Sequence, residues 1–331
     1  KITRDLLLLA DLPYTMGFES AYENVGKMRN RGLEISLKTV NVKTRNFRWE
    51  SDFNISFNRN KILSLTGNQS NLYSFVPLNT NFNNSPLYVA QVGQPTGMFF
   101  GYVFDGIYQE EDFDQPSPGK YILKDNVPTN GNERSVIQPG DIKYRDLNGD
   151  GVVNTYDQTI IGRGQPLHTG GFNNTFTYKG FSLGIFLSWS YGNDVYNANR
   201  LFLEGNALVA TDINQYKSYE NRWTPENRSN KYFRTGGQGP AGYHSSRVLE
   251  DGSYLRLQNL TFGYNFPRKW LKRIYLSSLN LSFTARNLVT FTGYSGMDPS
   301  VSTRSSILTP SFDYSAYPSA KSFMFSLKTT F

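Results

Sequence analysis

The stretch FRWESDFNISFN, residues 47–58, alternates without a break. Phe47, Trp49, Ser51, Phe53, Ile55 and Phe57 fall on one face, and Arg48, Glu50, Asp52, Asn54, Ser56 and Asn58 on the other. Successive side chains of a strand point to opposite faces, so this period of two means one apolar and one wet face. Twelve residues is long for a strand of a soluble sheet and close to what a tilted membrane strand needs.

The same pattern extends outward from this run. Upstream, Leu33, Ile35, Leu37 and Thr39 oppose Glu34, Ser36 and Lys38, with a short turn at 41–46. Downstream, 171–178 and 181–191 read as a hairpin on Lys179-Gly180, with Phe181, Leu183, Ile185, Leu187 and Trp189 on one face. Residues 87–92, 98–108, 254–266, 279–291 and 317–331 read as further strands, and the apolar run 2–10 opens the chain. That makes about ten strands in an all-β chain.

Composition agrees with a wall that shows rings to lipid. Only 38% of the residues are hydrophobic, yet aromatics reach 15%, which suits exposed rings at a lipid border and a polar interior. There is no cysteine, which removes thiol catalysis, disulfides and Cys-based zinc sites. The net charge of +7 comes without a long basic run, so nucleic acid is excluded as a partner. No stretch approaches the ~18 apolar residues of a membrane helix, and no signal peptide opens the chain.

Connection lengths then test the wall. Alternating strand direction back from the last strand puts 41–46, 93–96, 179–180 and 267–278 on one side, all short. The other side receives 10–31, 60–85, 109–169, 192–252 and 292–316, all longer. Short periplasmic turns and long extracellular loops are the signature of an outer-membrane barrel. The basic segment PRKWLKRIYL, 267–276, reads as a helical connector with Trp270, Leu271 and Ile274 on its apolar side. The chain closes on Phe331, with Phe323, Phe325 and Leu327 on the same face, and this ending resembles the C-terminal signal of barrel assembly.

Several blocks together resemble the SusC/RagA family of TonB-dependent outer-membrane transporters. They are NVGKMRNRGLEISL (24–37), VGQPTGMFFGYVFDGIYQ (92–109), PGDIKYRDLNGDGVVNTYDQTIIG (139–162), GGFNNTFTYKGFSLGIFLSWSYGNDVYN (170–197), NRWTPENRS (221–229), YLRLQNLTFGYNFP (254–267) and ARNLVTFTGYSGMDP (285–299). The resemblance runs along nearly the whole chain and implies the C-terminal part of a 22-stranded transmembrane barrel, with the N-terminal plug and the TonB-contact segment not in this sequence. It implies a bacterial outer-membrane location, import of oligosaccharides or oligopeptides, a SusD-like lipoprotein as lid, and TonB as the energy source through the absent N-terminal region. A dimer of transporter–lid pairs and recruitment as an accessory subunit of another outer-membrane complex are both left open. Without the resemblance, a secreted, calcium-stabilised soluble β binding protein is the alternative.

The sharpest chemical motif is DLNGDGVVNTYD, 146–157. Asp146, Asn148, Asp150, Asn154 and Asp157 stand at positions 1, 3, 5, 9 and 12 of a calcium loop, with Gly151 at 6 and the Val152 carbonyl at 7. Calcium needs several oxygens on a flexible turn, and this spacing wraps them round one point. Asp157 departs from the usual Glu and resembles dockerin-type loops; a metal-free Asx turn is the other reading. A structural Ca2+ in this loop is therefore the expected cofactor.

Catalysis has little support, because His168 and His244 lie in or beside loops and neither fits a hydrolase arrangement with Ser245 or Ser246. Tyr191, Tyr219, Trp223 and Arg234 are the candidate contacts to substrate or lid; packing of loop on loop competes with that role.

Overall fold

A computed structural model of the chain describes residues 1–4, 7–11, 14–18, 20–24, 26–65, 69–76, 78, 82, 85–205 and 213–331. Its spine is an antiparallel eight-stranded sheet: β1 (Ile2–Arg4), β2 (Lys27–Lys43), β3 (Phe47–Ser64), β4 (His168–Tyr178), β5 (Phe181–Tyr191), β6 (Tyr254–Asn265), β7 (Ser278–Thr292) and β8 (Ser322–Thr330). Each strand pairs with its neighbour in chain order, so the wall is a pure meander.

The expected alternation builds this wall. Register places Leu37 opposite Phe53, Phe53 opposite Phe172, Phe172 opposite Leu187 and Leu187 opposite Leu257. Farther along, Phe262 faces Phe283 and Phe283 faces Phe325, so one apolar face runs unbroken across the sheet. Among the described residues this face carries no second layer: Leu33 is 59% exposed, Leu37 56%, Phe325 77% and Leu327 67%. From Phe47 to Phe57 the strand climbs about 35 Å, or about 25 Å of depth at a 45° tilt, which matches the apolar band of a membrane barrel.

Three polar side chains, Asn41, Ser51 and Asn174, interrupt the apolar face and bond in series. Asn174 Oδ1 accepts from Trp49 Nε1 at 2.9 Å and from Ser51 Oγ at 2.7 Å, and Asn41 Nδ2 donates to Ser51 Oγ at 2.6 Å. In hydrocarbon an unsatisfied polar group costs several kcal/mol, so a closed network is what such a position requires. Nearby, Gly170 and Gly171 leave space on the two faces. A Cβ on Gly170 would lie 2.1 Å from Trp189 Cζ2, and one on Gly171 2.9 Å from Phe186 Cε2. The pair thus lets Trp189 lie flat on the apolar face and the out-of-pattern Phe186 lie flat on the polar one.

Several expectations need correction. Residues 86–91 and 98–101 are not wall strands; they belong to a separate four-stranded sheet with 71–75 and 159–163. Residues 104–107 pair instead with 142–144. The physical reason was visible: Leu87, Tyr88, Val89 and Ala90 are apolar in succession, and all four are buried. A run without alternation belongs to a strand covered on both faces. The opening segment is two short strands, Ile2–Arg4 in the wall and Leu7–Asp11 paired with Ser20–Asn24, with Leu6 outside the described residues. The basic connector is helical over Arg268–Leu271, with Leu271 buried and Trp270 and Ile274 exposed.

The eight-stranded sheet is open, with β1 and β8 at its edges and no closed barrel among the described residues. The asymmetry of its ends is nevertheless sharper than expected. Turns 44–46, 179–180 and 266–277 lie at one end, here called proximal. Connections 5–26, 65–167, 192–253 and 293–321 all lie at the other, distal end. The turn at 93–96 moves to the distal end, because Gly93 N donates to Ile62 O at 2.9 Å near the top of β3. The two misassigned strands had cancelled in the count of directions, so the sorting of the remaining turns held.

Candidate functional site

The long distal connections are a folded body. Residues 194–197 pair antiparallel with 249–251 and parallel with 312–313, joining segments from two different connections. Val76, Leu87, Phe99, Tyr196, Val248 and Phe312 share one buried cluster drawn from all three large connections. This body sits over the distal end of the wall's polar face. Ile62 packs with Ala90 and Leu308 there, and Arg256 of β6 reaches Asp298 at 2.5 Å. Burial pushes the Asp298 carboxyl up, but the Ser300 and Ser319 hydroxyls, the Ser300 amide and Arg256 more than offset it, holding it at about 2.

A cavity of about 1140 Å³ opens between the 192–253 and 293–321 connections. Tyr216, Tyr232, Lys231, Met297 and Tyr317 are among the residues that line it. Arg200, Glu204 and Glu250 line it as well, and they belong to a buried ion cluster. Arg200 meets Glu204 at 2.6 Å and Glu250 at 3.1 Å, and Arg247 meets Glu204 at 3.1 Å, with side chains 4–12% exposed. Burial pulls Arg200 down, yet the carboxylates of Glu204 and Glu250 hold it above its ordinary value. Burial wins for Arg247, despite Glu204. The cluster fixes the helical turn Asn199–Leu203 against the 246–251 segment, and so shapes the cavity.

The four candidate contacts separate into two kinds. Tyr191 is 53% exposed at the distal end of β5, stacked on His168 with ring centroids 5.1 Å apart. Tyr219 is only partly buried, its hydroxyl 2.5 Å from Thr235 Oγ1 and its ring under Arg222. Trp223, by contrast, is 6% exposed and donates from Nε1 to Gln109 Oε1 at 3.0 Å. Arg234 pairs with buried Asp141 at 2.7 Å. Burial raises the Asp141 carboxyl, while the Gln138 amide and Arg234 lower it. Both Trp223 and Arg234 close over Gly140; Trp223 is buried there, whereas the Arg234 side chain stays 34% exposed. Trp223 is packed inside the loops, and the sequence has no periodicity there to separate buried rings from exposed ones. The lining residues Lys231 and Tyr317 carried no distinguishing sequence signal either.

The 146–157 loop folds on its own amides. Asp146 accepts from Gly149 N and Gly151 N, both at 2.7 Å, and Asp150 Oδ1 from Val152 N at 2.8 Å. Asp157 is fully buried, accepting from Leu147 N at 2.8 Å and Asn154 N at 2.7 Å. Burial raises the Asp146 carboxyl, but the backbone bonds outweigh it and hold it below its ordinary value. Gly151 has φ +82°, the turn that position 6 of a calcium loop requires. Among the described residues no three His, Cys, Asp or Glu side chains converge as a ready metal cage. A cavity of about 630 Å³ beside the loop is lined by Asp105, Asp125, Asp146 and Asp150, with Lys143 and Arg145.

The two histidines have separate surroundings. His244 is 2% exposed, its Nδ1 2.9 Å from Tyr196 OH, and burial pulls it down to about 3, so it is neutral. His168 accepts from Trp189 Nε1 at 3.2 Å on the wall. Ser246 Oγ takes the Phe104 amide and Ser245 Oγ the Arg247 amide, so both hydroxyls serve the loop.

No protein-family model matches the chain. Among curated proteins it is 32% identical over 337 aligned positions to TonB-dependent receptor P3 of Formosa agariphila, covering 99% of this chain and 31% of that protein. Similarity to TonB-dependent receptor SusC of Bacteroides thetaiotaomicron is 26% over 335 positions, covering 99% of this chain and 29% of the relative. Among solved structures, the RagAB peptide transporter superposes with a TM-score of 0.72 at 26% identity, over all of this chain and 32% of the matched one. The chain therefore spans about a third of the length of these relatives, which are named as receptors and transporters.

Proposed function

Because the chain belongs to the SusC/RagA family of TonB-dependent receptors along its whole length, we propose that it is the C-terminal part of an outer-membrane import barrel. The single observation that carries this reading is the uncovered apolar face of the eight-stranded meander, backed by a polar face and a folded body at one end only. In the proposed protein the remaining length supplies the earlier wall strands, the plug and the contact to TonB. The distal body is extracellular and meets a SusD-like lipoprotein. Import takes an oligopeptide or an oligosaccharide through the distal cavity. Phe323, Phe325, Leu327 and Phe331 serve as the assembly signal on the last strand, where they are 61–89% exposed.

The test is growth and uptake. Cells deleted for the full transporter gene are expected to lose uptake of one of the two substrate classes, and copurification from native membranes is expected to bring a surface lipoprotein. Full transporter recovered as a soluble monomer without detergent overturns the reading in favour of a secreted β binding protein. Intact uptake together with copurification in another outer-membrane machine overturns it in favour of an accessory subunit.

The same reading includes a structural calcium on Asp146, Asn148, Asp150, the Val152 carbonyl, Asn154 and Asp157. The amide bonds shape the loop, and each carboxylate keeps further lone pairs for a cation. Chelation of the full transporter is expected to increase protease cutting within 125–157, with protection restored by calcium and less well by magnesium. Asp146→Ala is expected to cut in the same place whether or not calcium is present. Unchanged protection after chelation, with no calcium bound at millimolar levels, removes the metal and leaves a self-capped turn.

A further inference from the structure

Above the apolar band, β2 and β3 continue past Leu33 and Phe57 with the same alternation. The outward positions there are Arg31 and Arg29 on β2, and Arg59 and Lys61 on β3. Register puts Arg31 directly opposite Arg59, and Arg29 directly opposite Lys61. Like charges directly opposite on one face of an antiparallel pair repel and destabilise it. Here two such pairs are stacked in succession.

Among the described residues no carboxylate forms an ion pair with any of the four. Among the described residues Arg59 donates to the carbonyls of Asn58 and Leu167. Arg31, Arg59 and Lys61 are exposed and Arg29 is half-buried. A fifth cation, Arg163, lies close enough that burial first and the charge of Arg59 second both lower it.

Position identifies the counter-charge. The aromatic group Phe57, His168, Trp189 and Tyr191 lies at the distal border of the apolar face. Rings at that level mark the boundary between hydrocarbon and headgroups. The four cations stand one to two residue pairs beyond Phe57, roughly 7–13 Å farther along the strand, where the headgroups of the surrounding leaflet lie. The inward side chains at the same level are engaged elsewhere: Asn60 holds Thr96 and Gln165, and Ile62 is buried under the distal body. Arg59 and Lys61 border the distal body, Arg59 through Leu167 O and Lys61 beside Gly93, yet both side chains remain exposed.

We propose that Arg29, Arg31, Arg59 and Lys61 form a binding site for the phosphate groups of anionic lipid in the leaflet around the distal end of the wall. The ligand is a phosphorylated lipid, held by its headgroup on the four cations and by its acyl chains along Leu33, Phe57 and the aromatic border. The phosphate relieves the cross-strand repulsion and so pins β2 and β3 at their distal ends. The inference rests on the reading of the apolar face as lipid-facing.

The test uses the full transporter in nanodiscs, probed with lipid A carrying phosphate and with the same lipid A after dephosphorylation. Bound lipid is counted by native mass spectrometry. The wild type is expected to retain the phosphorylated form preferentially. Arg31→Gln/Arg59→Gln is expected to lose that preference by about fivefold per cation removed. Lys43→Gln/Arg45→Gln at the proximal end is expected to leave it unchanged. In neutral detergent Arg31→Gln/Arg59→Gln is expected to melt no lower than the wild type, since it removes a repulsion, which separates loss of binding from loss of folding. Equal retention of both lipids, or full preference in the double variant, overturns the proposal. Displacement of the lipid by millimolar inorganic phosphate overturns its lipid source. Folded protein that retains neither lipid, by contrast, overturns the lipid-facing wall itself.

Discussion

Glu204→Gln is expected to open the distal body. Glu204 is the shared anion of the buried cluster, touching Arg200 at 2.6 Å and Arg247 at 3.1 Å. Its loss leaves Arg247, 4% exposed, without an ion pair among the described residues, where Glu204 is the carboxylate it meets. Arg200 retains Glu250, so only one of the two guanidiniums is stranded. Removing one partner of a buried pair typically costs about 3–5 kcal/mol, since the remaining charge cannot rehydrate. The structure would respond by opening locally, since the wall does not depend on this cluster. Hydrogen exchange in segments 194–205 and 245–251 of the full transporter is expected to accelerate by about a hundredfold or more, with β3 to β7 unchanged. Arg228→Gln serves as the control, because Arg228 pairs with Glu110 and Glu111 at the exposed surface and its loss is expected to leave exchange unaltered. Equal exchange in both variants would mean that the buried cluster contributes nothing to the body.

Gly140→Val is expected to be comparably severe, for a steric reason. Gly140 has φ +89°, and a Cβ there would lie 2.5 Å from Trp223 Cε3 and 2.9 Å from Arg234 Cβ. Arg234 N donates to Gly140 O at 2.8 Å, so the backbone cannot withdraw without losing that bond. A β-branched residue with positive φ adds about 1–2 kcal/mol of strain, and overpacking typically adds about 1–3 kcal/mol. Trp223 would have to leave its cluster with Ile142, Tyr144 and Phe233. The measurable consequence is protease cutting near 140 and 223 and a rise in tryptophan exposure to soluble quencher. Gly119→Val is the matched control: Gly119 has φ +78° with nothing within 4 Å of its Cβ position, so it carries the strain without the clash. If both variants behave alike, strain decides the outcome and the clash with Trp223 does not.

The wall was legible from local pattern alone. Each of β3 to β7 writes its two faces into alternate residues, because the strand period is two and the faces meet different media. Even the ring–glycine pairing at 170–171 stands in the sequence, although only the fold shows that Trp189 and Phe186 lie against it on opposite faces. The distal body was not legible in this way. Strands 86–91 and 98–101 are short and covered on both faces, so their residues are uniformly apolar and resemble any buried run. Their assignment to the wall followed from length and order, neither of which determines partners.

Sequence by itself thus determined the alternating wall, the division of its connections into short and long ends, and the family, because those signals are carried by neighbours along the chain. Only the tertiary structure decided that Trp223 is buried and Arg234 pairs with Asp141, that Glu204 joins two guanidiniums, and that Arg31 stands opposite Arg59. Those facts depend on residues far apart in sequence being brought within a few ångströms, and no local period records such meetings.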